Sequence, residues 1–336
     1  MTPICGFESI KNTADIKGFI FMQARPNKMR ATAVVLAYNQ SRFVEEAVNS
    51  VLNQNFDGLE VILSDDGSSD DTFEIMSKIT SSYKGPHTIR LNKNKKNLGF
   101  IAHINLVFKL ATTQFIIYNP GDDMSLPNRF QKLWVEYKRT NALLVHSDVI
   151  EVMESGQEVG IKSQKDVLRD ISLFRTSKKM SLCIGASCGW DRDLIKIFGE
   201  ISETDTYDDV VFYFRAKLAG DRIGYVQEPL IRYRTGSGIT NTPVKNYSEK
   251  LDDLKKKTSV AVATLRQRLK DCQNFSPHLV YLKRYIKFWI KVAQGRGQAY
   301  AGEKTMNVIK TFSLPTILGY AIGRHHFRRA RRKYKN

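Results

Sequence analysis

The stretch Phe115-Ile116-Ile117-Tyr118-Asn119-Pro120-Gly121-Asp122-Asp123 decides how this chain is read. Its apolar half has the composition of a buried strand, and its polar half sets two adjacent carboxylates at the mouth of that strand. Such a pair is costly, because each charge repels the other and both lose solvation. A divalent cation removes the cost, and hard oxygen ligands suit Mg²⁺ or Mn²⁺ shared with a phosphate. A second pair, Asp65-Asp66-Gly67, ends another apolar run, Leu59 to Leu63. Two strands ending in Asp-Asp point to one anionic-ligand site at the carboxyl edge of a parallel sheet. Either pair taken alone also reads as a loop turn or a helix cap.

The flanking sequence supports that sheet. Ala31 to Ala37 is apolar and β-branched, as in a central parallel strand. Ser41 is a candidate N-cap for a helix with Phe43, Ala47, Val48, Val51 and Leu52 on one face. Asp70-Asp71-Thr72 opens a second helix, and Thr88 to Leu91 forms a short strand. Asn97-Leu98-Gly99 turns into a helix from Phe100 to Ala111. After the Asp122-Asp123 loop comes a helix with Pro127 in its first turn, then a strand at Ala142 to Val145. Strands and helices alternate over roughly 25–30 residues, the mark of βαβ units in a doubly wound, mostly parallel α/β sheet. Residues 150–190 lose the alternation and read as a loop-rich flap. A helix from Asp208 to Ala219 follows, then a strand from Tyr225 to Tyr233 whose Pro229 places it at an edge.

Charge divides the chain. Residues 251–336 hold 20 Lys and Arg against 4 Asp and Glu, leaving 32 basic and 30 acidic residues in 1–250. The domains expected are an N-terminal extension, 1–27, an α/β domain, 28–245, and a helical basic appendage, 246–336. The appendage reads as a solvated helical face or as an attachment to an anionic membrane surface. Tyr281, Tyr285, Phe288, Trp289 and Ile290 are interleaved with Lys283, Arg284, Lys287 and Lys291, as an interfacial helix requires. No nucleic-acid module is recognisable, so no nucleic-acid partner is expected. No stretch reaches the ~18 apolar residues of a spanning helix. Residues 1–30 lack the continuous apolar run of a signal peptide. Cys5, Cys183, Cys188 and Cys272 lack zinc-site spacing and read as reduced thiols in a cytoplasmic protein.

No glycine-rich dinucleotide or P-loop turn follows the first strand, so phosphates must be held another way. Three spaced elements then agree in order: Val34-Val35-Leu36-Ala37-Tyr38-Asn39, Asp65-Asp66-Gly67-Ser68-Ser69-Asp70, and Gly121-Asp122-Asp123 with Leu126-Pro127-Asn128-Arg129. From about Ala31 to Arg234 the chain resembles the family-2 glycosyltransferases with the GT-A fold. The resemblance implies the following site. Asp66 hydrogen-bonds the nucleotide base, which Ala37, Tyr38 and Asn39 flank, and Asp65 also contacts the donor. Asp123 binds a cation, Mn²⁺ or Mg²⁺, that bridges the diphosphate, and Asp122 lies nearer the ribose or sugar. Asn97 and Gly99 belong to a donor-contacting turn. In Tyr207-Asp208-Asp209-Val210-Val211-Phe212 the family usually shows Glu-Asp; Asp209 is implied as the general base and Asp208 as an acceptor-side residue. A carboxylate with a raised pKa beside a second carboxylate suits that role, although the pair would also complement a helix dipole. Trp190 is the candidate for stacking on an acceptor sugar. Arg234, in the Arg232-Tyr233-Arg234 segment before Gly236-Ser237-Gly238, is the candidate for neutralising the diphosphate. His103 and His146 read as packing or hydrogen-bonding residues.

The resemblance therefore implies metal-dependent, inverting transfer of a sugar from a nucleotide-sugar, a UDP-sugar by expectation. The acceptor would be a hydroxyl on a glycan or lipid-linked glycan. Such proteins build bacterial surface polysaccharide, capsule or O-antigen, at the inner face of the cell membrane. Alternatives are a nucleotidyltransferase acting on sugar phosphates, which would show a glycine- and basic-rich loop after the first strand, and a non-catalytic glycan-binding protein, for which Asp123 would be dispensable.

Overall fold

The structure is a computed structural model describing residues 20–21, 30–165, 172–180, 182–236, 246–302 and 313–334. The expected N-terminal extension, the boundary at residue 245, and Ser237-Gly238 fall largely or wholly outside those residues. The described strands are β1 (Ile20–Phe21), β2 (Ala31–Ala37), β3 (Leu59–Asp65), β4 (Thr88–Lys93), β5 (Phe115–Pro120), β6 (Met124–Ser125), β7 (Leu144–Val152), β8 (Glu158–Lys162), β9 (Gly189–Asp191) and β10 (Ile223–Arg234). The helices are α1 (Val44–Leu52), α2 (Thr72–Ser82), α3 (Phe100–Leu110), α4 (Arg129–Thr140), α5 (Leu173–Thr176), α6 (Asp193–Lys196), α7 (Asp208–Leu218), α8 (Tyr247–Phe275), α9 (Val280–Tyr300) and α10 (Leu314–Tyr334).

The strands form one mixed sheet in the order β1-β4-β3-β2-β5-β9-β7-β10-β6, with β8 hydrogen-bonded to β7. Strands β4, β3, β2 and β5 are mutually parallel, and so are β7 and β10. Their burial explains the apolar sequences: every residue of β2 and β3 is buried. Alternate residues feed two cores. Val34, Leu36, Ile116 and Tyr118 meet α3 and α7 on one face. Ala33, Val35, Phe115 and Ile117 meet α1, α2 and α4 on the other.

Register fixes where the strands stop. Ala37 is opposite Asp65, and Leu36 is opposite Pro120, so β2, β3 and β5 end level with one another. The chain leaves β2 toward β3 and β4 on one side and β5 on the other, which makes the β2–β5 gap a topological switch point, where α/β sheets bind ligands.

Several local expectations are corrected. Ser41 does not cap α1; its amide donates instead to Asp70 Oδ2 at 3.1 Å. Pro127 precedes α4, separated from it by Asn128 at φ 64°. The flap contains β8 and β9, and β9 runs antiparallel between β5 and β7. Pro229 sits in a strand with neighbours on both sides, but β6 pairs only with Ile231 and Arg232, so the Pro229 half is open on one side.

The C-terminal helices are keyed into the α/β core. Arg215 of α7 and Asp271 of α8 form a fully buried bidentate pair, 2.9 and 3.1 Å. The fully buried Arg268 donates to the carbonyls of Ser177 (3.1 Å), Lys179 (2.8 Å) and Val210 (3.0 Å). Phe214 and Leu218 join Leu265, Cys272, Leu282 and Ile286 in one apolar cluster. Three expected interfacial side chains are partly spent here: Trp289 and Ile290 pack on this cluster, and Tyr285 meets Phe174 edge-on at 5.4 Å. Tyr281, 77% exposed, and Phe288 remain outside.

Asp271→Ala should strand the Arg215 charge in the interior. Such losses cost about 3–5 kcal/mol, so the urea midpoint should fall steeply. An unchanged midpoint would mean that the pair does not hold α8 to α7.

Candidate active site

A cavity of about 1500 Å³ opens at the level ends of β2, β3 and β5. Ala37, Tyr38, Asn39, Asp66, Asn97 and Gly99 line one end. Asp122, Asp123, Asp208, Asp209 and Arg234 line its middle. The chain thus brings together eleven of the thirteen site residues expected from sequence, all but Asp65 and Trp190.

At the first end, Asn39 takes a left-handed conformation, φ 51°. Its amide donates to Ser68 Oγ (2.8 Å) and its Oδ1 accepts from Ser69 N (2.9 Å), which turns Tyr38 outward, 46% exposed. Asp66 accepts from Asn94 Nδ2 (2.7 Å), Leu98 N (3.0 Å) and Gly99 N (3.1 Å), so it shapes the 97–99 turn. Three donors leave room on its two oxygens for one more. Asp65 points elsewhere. It is buried outside the cavity lining and accepts from Ser68 N at 3.0 Å, so its expected contact with the donor is withdrawn. His103 lies on the wall with Nε2 2.6 Å from Ser64 Oγ; burial drives its pKa down to about 4, which leaves the ring neutral. His146 packs on Tyr225 at 4.9 Å, with neither ring nitrogen hydrogen-bonded.

Asp123 is 1% exposed. Burial, and next the neighbouring Asp122, push its carboxyl well above the usual range. Its Oδ1 accepts from Arg234 N at 2.6 Å. A carboxylate held this way can ionise once a cation faces it. Among the described residues no three His, Cys, Asp or Glu side chains cluster as a closed metal site. The donor set is oxygen only, and it fits a hard cation sharing its ligands with a diphosphate and water.

Arg234 is committed elsewhere than to a diphosphate. Its guanidinium donates to the carbonyls of Asp122 (3.0 Å) and Glu154 (2.9 Å) and to Glu46 Oε2 (3.1 Å). It clamps the Asp122-Asp123 loop, and its expected diphosphate role is replaced by that one. Arg129, to which sequence assigned no role, is fully buried beneath the same loop. It donates to Asn119 Oδ1 (3.1 Å), Ser125 Oγ (2.8 Å) and the carbonyls of Tyr118 (2.8 Å) and Ala186 (2.7 Å). Burial lowers its pKa to about 10, still fully charged near neutrality. A lone arginine after Leu-Pro-Asn gives no sign of burial, so only the fold exposes this role.

Asp208 and Asp209 open α7, where the helix dipole favours negative charge. They are not equivalent. Asp208 Oδ2 is buried without a partner, and burial and then Asp209 raise its pKa strongly. Asp209 accepts from Val210 N at 2.7 Å. Burial lifts it to about 6, against the pull of that amide and of Arg268. Burial thus raises both carboxyls, that of Asp208 more strongly.

Trp190 is the second withdrawn expectation. It is wholly buried in β9, stacked on Tyr118 (5.1 Å) and Phe108 (5.6 Å), and offers no face to a sugar.

Residues 32–198 match the model of glycosyl transferase family 2. Through this domain the chain belongs to that family. Among curated relatives, a putative glycosyltransferase EpsE of Bacillus subtilis is 33% identical over 103 residues, 31% of this chain and 36% of that protein. An uncharacterized glycosyltransferase of Haemophilus influenzae is 27% identical over 130 residues, 39% of each chain. The matched segments thus span under two-fifths of these relatives. Staphylococcus aureus TarS, solved with UDP-GlcNAc, superposes with a TM-score of 0.54 over 91% of this chain and 92% of that one, at 15% identity. Mannosyltransferase PcManGT of Pyrobaculum calidifontis, solved with GDP-Man and Mn²⁺, gives 0.52 over 93% and 86%, also at 15% identity. The fold is that of the GT-A glycosyltransferases.

Arg129→Lys should keep the charge yet fail to span four acceptors. The urea midpoint should fall, since each buried acceptor left unpaired costs about 1–3 kcal/mol. An unchanged midpoint would remove Arg129 from the support of the Asp122-Asp123 loop.

Proposed function

We propose that this chain transfers a sugar, with inversion, from a nucleoside-diphosphate sugar to an acceptor hydroxyl. UDP-sugars are the favoured donors, by the fold shared with TarS, which was solved with UDP-GlcNAc. The observation that carries the reading is the convergence of Asp66, Asp122, Asp123, Asp208 and Asp209 on one cavity, with the Asp209 carboxyl raised by burial to about 6. Asp66 and the Tyr38 segment take the base. Asp209 accepts the acceptor hydroxyl's proton as its oxygen attacks the anomeric carbon. The neighbouring Asp208, holding its proton, adds no second charge to repel the attacking oxygen. A divalent cation held by Asp123, Mn²⁺ or Mg²⁺, would supply charge neutralisation for the departing diphosphate.

The acceptor is proposed to be a glycan or lipid-linked glycan of a surface polysaccharide, met at the inner membrane face. No described helix is long and apolar enough to cross a membrane. The exposed Arg328, Arg329, Arg331, Arg332 and Lys333 of α10 form a basic surface suited to anionic lipid.

Three measurements test these parts. Asp209→Asn should lower turnover about 10²–10⁴-fold while leaving donor binding nearly intact. Because a raised pKa keeps Asp209 protonated in acid, kcat/KM should climb as pH rises through about 6, and the variant should lose that limb. Joint loss of binding and turnover would reject the base assignment, and a product that retains the donor's anomeric configuration would reject inversion. Asp123→Asn should cost turnover on the order of 10²-fold, and chelator should abolish activity until Mn²⁺ or Mg²⁺ is restored; full activity in chelator contradicts the metal role. Replacing the five basic residues of α10 with Gln should weaken sedimentation with anionic vesicles, each contributing about 1 kcal/mol at most, without changing turnover on a soluble acceptor. Equal sedimentation would make them a solvated face.

A further inference from the structure

The cavity continues past the aspartates. At about 1500 Å³ it exceeds the roughly 300–1,000 Å³ that one small ligand occupies, so a nucleotide-sugar leaves part of it open. The remaining wall belongs to the C-terminal helices, with Lys256 and Lys257 on α8, Arg296 and Tyr300 on α9, and His326 on α10.

The charges on this wall are unevenly matched. Two α8 carboxylates are already paired: Asp253 with Lys250 (2.6 Å) and Lys257 (2.9 Å), and Asp252 with Lys255 (3.5 Å). Arg296 differs. Among the described residues no carboxylate pairs with its guanidinium, and its Nε is sealed from solvent without a hydrogen-bond partner. Beside it, Tyr300 OH lies 3.1 Å from His326 Nδ1. That contact leaves His326 Nε2 for a ligand at the cavity mouth. The surroundings are positive: protonation of His326 is opposed by burial and then by Arg296, His325 and Arg329.

The wall is also stiff. A Cβ on Gly295 would overlap Thr316 O, and one on Gly319 would overlap Val292 O, so α9 and α10 touch backbone to backbone. Arg296, next to Gly295, and His326 are therefore held at a fixed spacing. With one hydrogen spent between Tyr300 and His326, the pair keeps one donor, which joins the Arg296 guanidinium in facing a tetrahedral oxyanion with no carboxylate paired among them.

We propose that Arg296, Tyr300 and His326 form an anion subsite that holds a phosphate group of the acceptor while its hydroxyl reaches Asp209. The assignment rests on the transferase reading for the word acceptor, but not for the subsite itself. In that reading the donor's own diphosphate is met by the cation that Asp123 would hold. A phosphate ester could reach the subsite from a phosphorylated acceptor or from a phospholipid headgroup, and the acceptor is the source assigned here.

The binding test uses the full chain with ¹⁵N-labelled histidine, saturated with UDP so that the donor end is blocked. Methyl phosphate should shift the His326 ring signals, which His326→Gln identifies by their disappearance. In Arg296→Gln the shift should need at least tenfold more methyl phosphate, and Arg296→Lys should recover part of the affinity. Equal titration of parent and Arg296→Gln overturns the subsite, and an equal response to acetate overturns the choice of phosphate. The turnover test compares matched acceptors with and without a phosphate. Arg296→Gln should raise KM for the phosphorylated acceptor at least tenfold more than for the neutral one. If Arg296→Gln instead weakens sedimentation with phospholipid vesicles and treats both acceptors alike, the headgroup is the source and the acceptor assignment fails. If the parent turns over no donor while methyl phosphate still depends on Arg296, the subsite stands and the transferase reading falls.

Discussion

Like charges gathered at the end of an apolar sheet repel one another, and the rest of this protein is arranged around that repulsion. Asp66, Asp122, Asp123, Asp208 and Asp209 face one cavity. Three buried arginines, Arg129, Arg234 and Arg268, surround them. Taken together, their guanidinium hydrogen bonds go mostly to backbone carbonyls, and no guanidinium bonds a cavity carboxylate. They lower the electrostatic cost at a distance without quenching the acids: Arg129 and Arg234 favour ionised Asp123, and Arg268 favours ionised Asp209. Burial still dominates both sites, which leaves them short of positive charge. That shortfall is what a cation and a proton-bearing acceptor can fill.

The same arginines join parts of the chain that lie far apart in sequence. Arg129 links the Asp122-Asp123 loop to Ala186 in the segment before β9. Arg268 reaches from α8 to the Val210 carbonyl, one residue past Asp209. Arg215 and Asp271 secure the other end of α7. The C-terminal helices thus set the position of the helix that carries Asp209, the proposed base, and also supply the far wall of the cavity. Membrane attachment, if the basic end of α10 provides it, would act on a part rigidly joined to the site.

The parallel half of the sheet and its acidic edge were legible in the sequence because burial on both faces makes continuous apolar runs, and their ends are marked by Asp-Asp. The antiparallel insertions were not. Strand β9 is three residues long and carries no alternation to read. Trp190 was misread because a tryptophan in a glycine-rich segment looks the same whether its ring meets a sugar or Phe108 and Tyr118. Asp65 and Asp66 are adjacent, and in a strand adjacent side chains point to opposite faces, so only one could enter the cavity. Arg234 and Arg129 show a different limit. The sequence reveals a cation, but whether it faces a phosphate or a carbonyl depends on contacts distant along the chain, 80 residues or more for Arg234 and 57 for the Arg129 bond to Ala186. Arg296 and His326 lie in a segment whose overall basicity hid the difference between surface charge and cavity charge.

If one cavity binds a diphosphate and a cation as mutual partners, each must alter the other's affinity. Reciprocal titration measures this: UDP affinity with and without saturating Mn²⁺, and Mn²⁺ affinity with and without saturating UDP. Each should tighten the other by the same factor, on the order of tenfold or more, as linkage requires of ligands sharing one site. Independent binding of the two, with a factor near one in both directions, would contradict it.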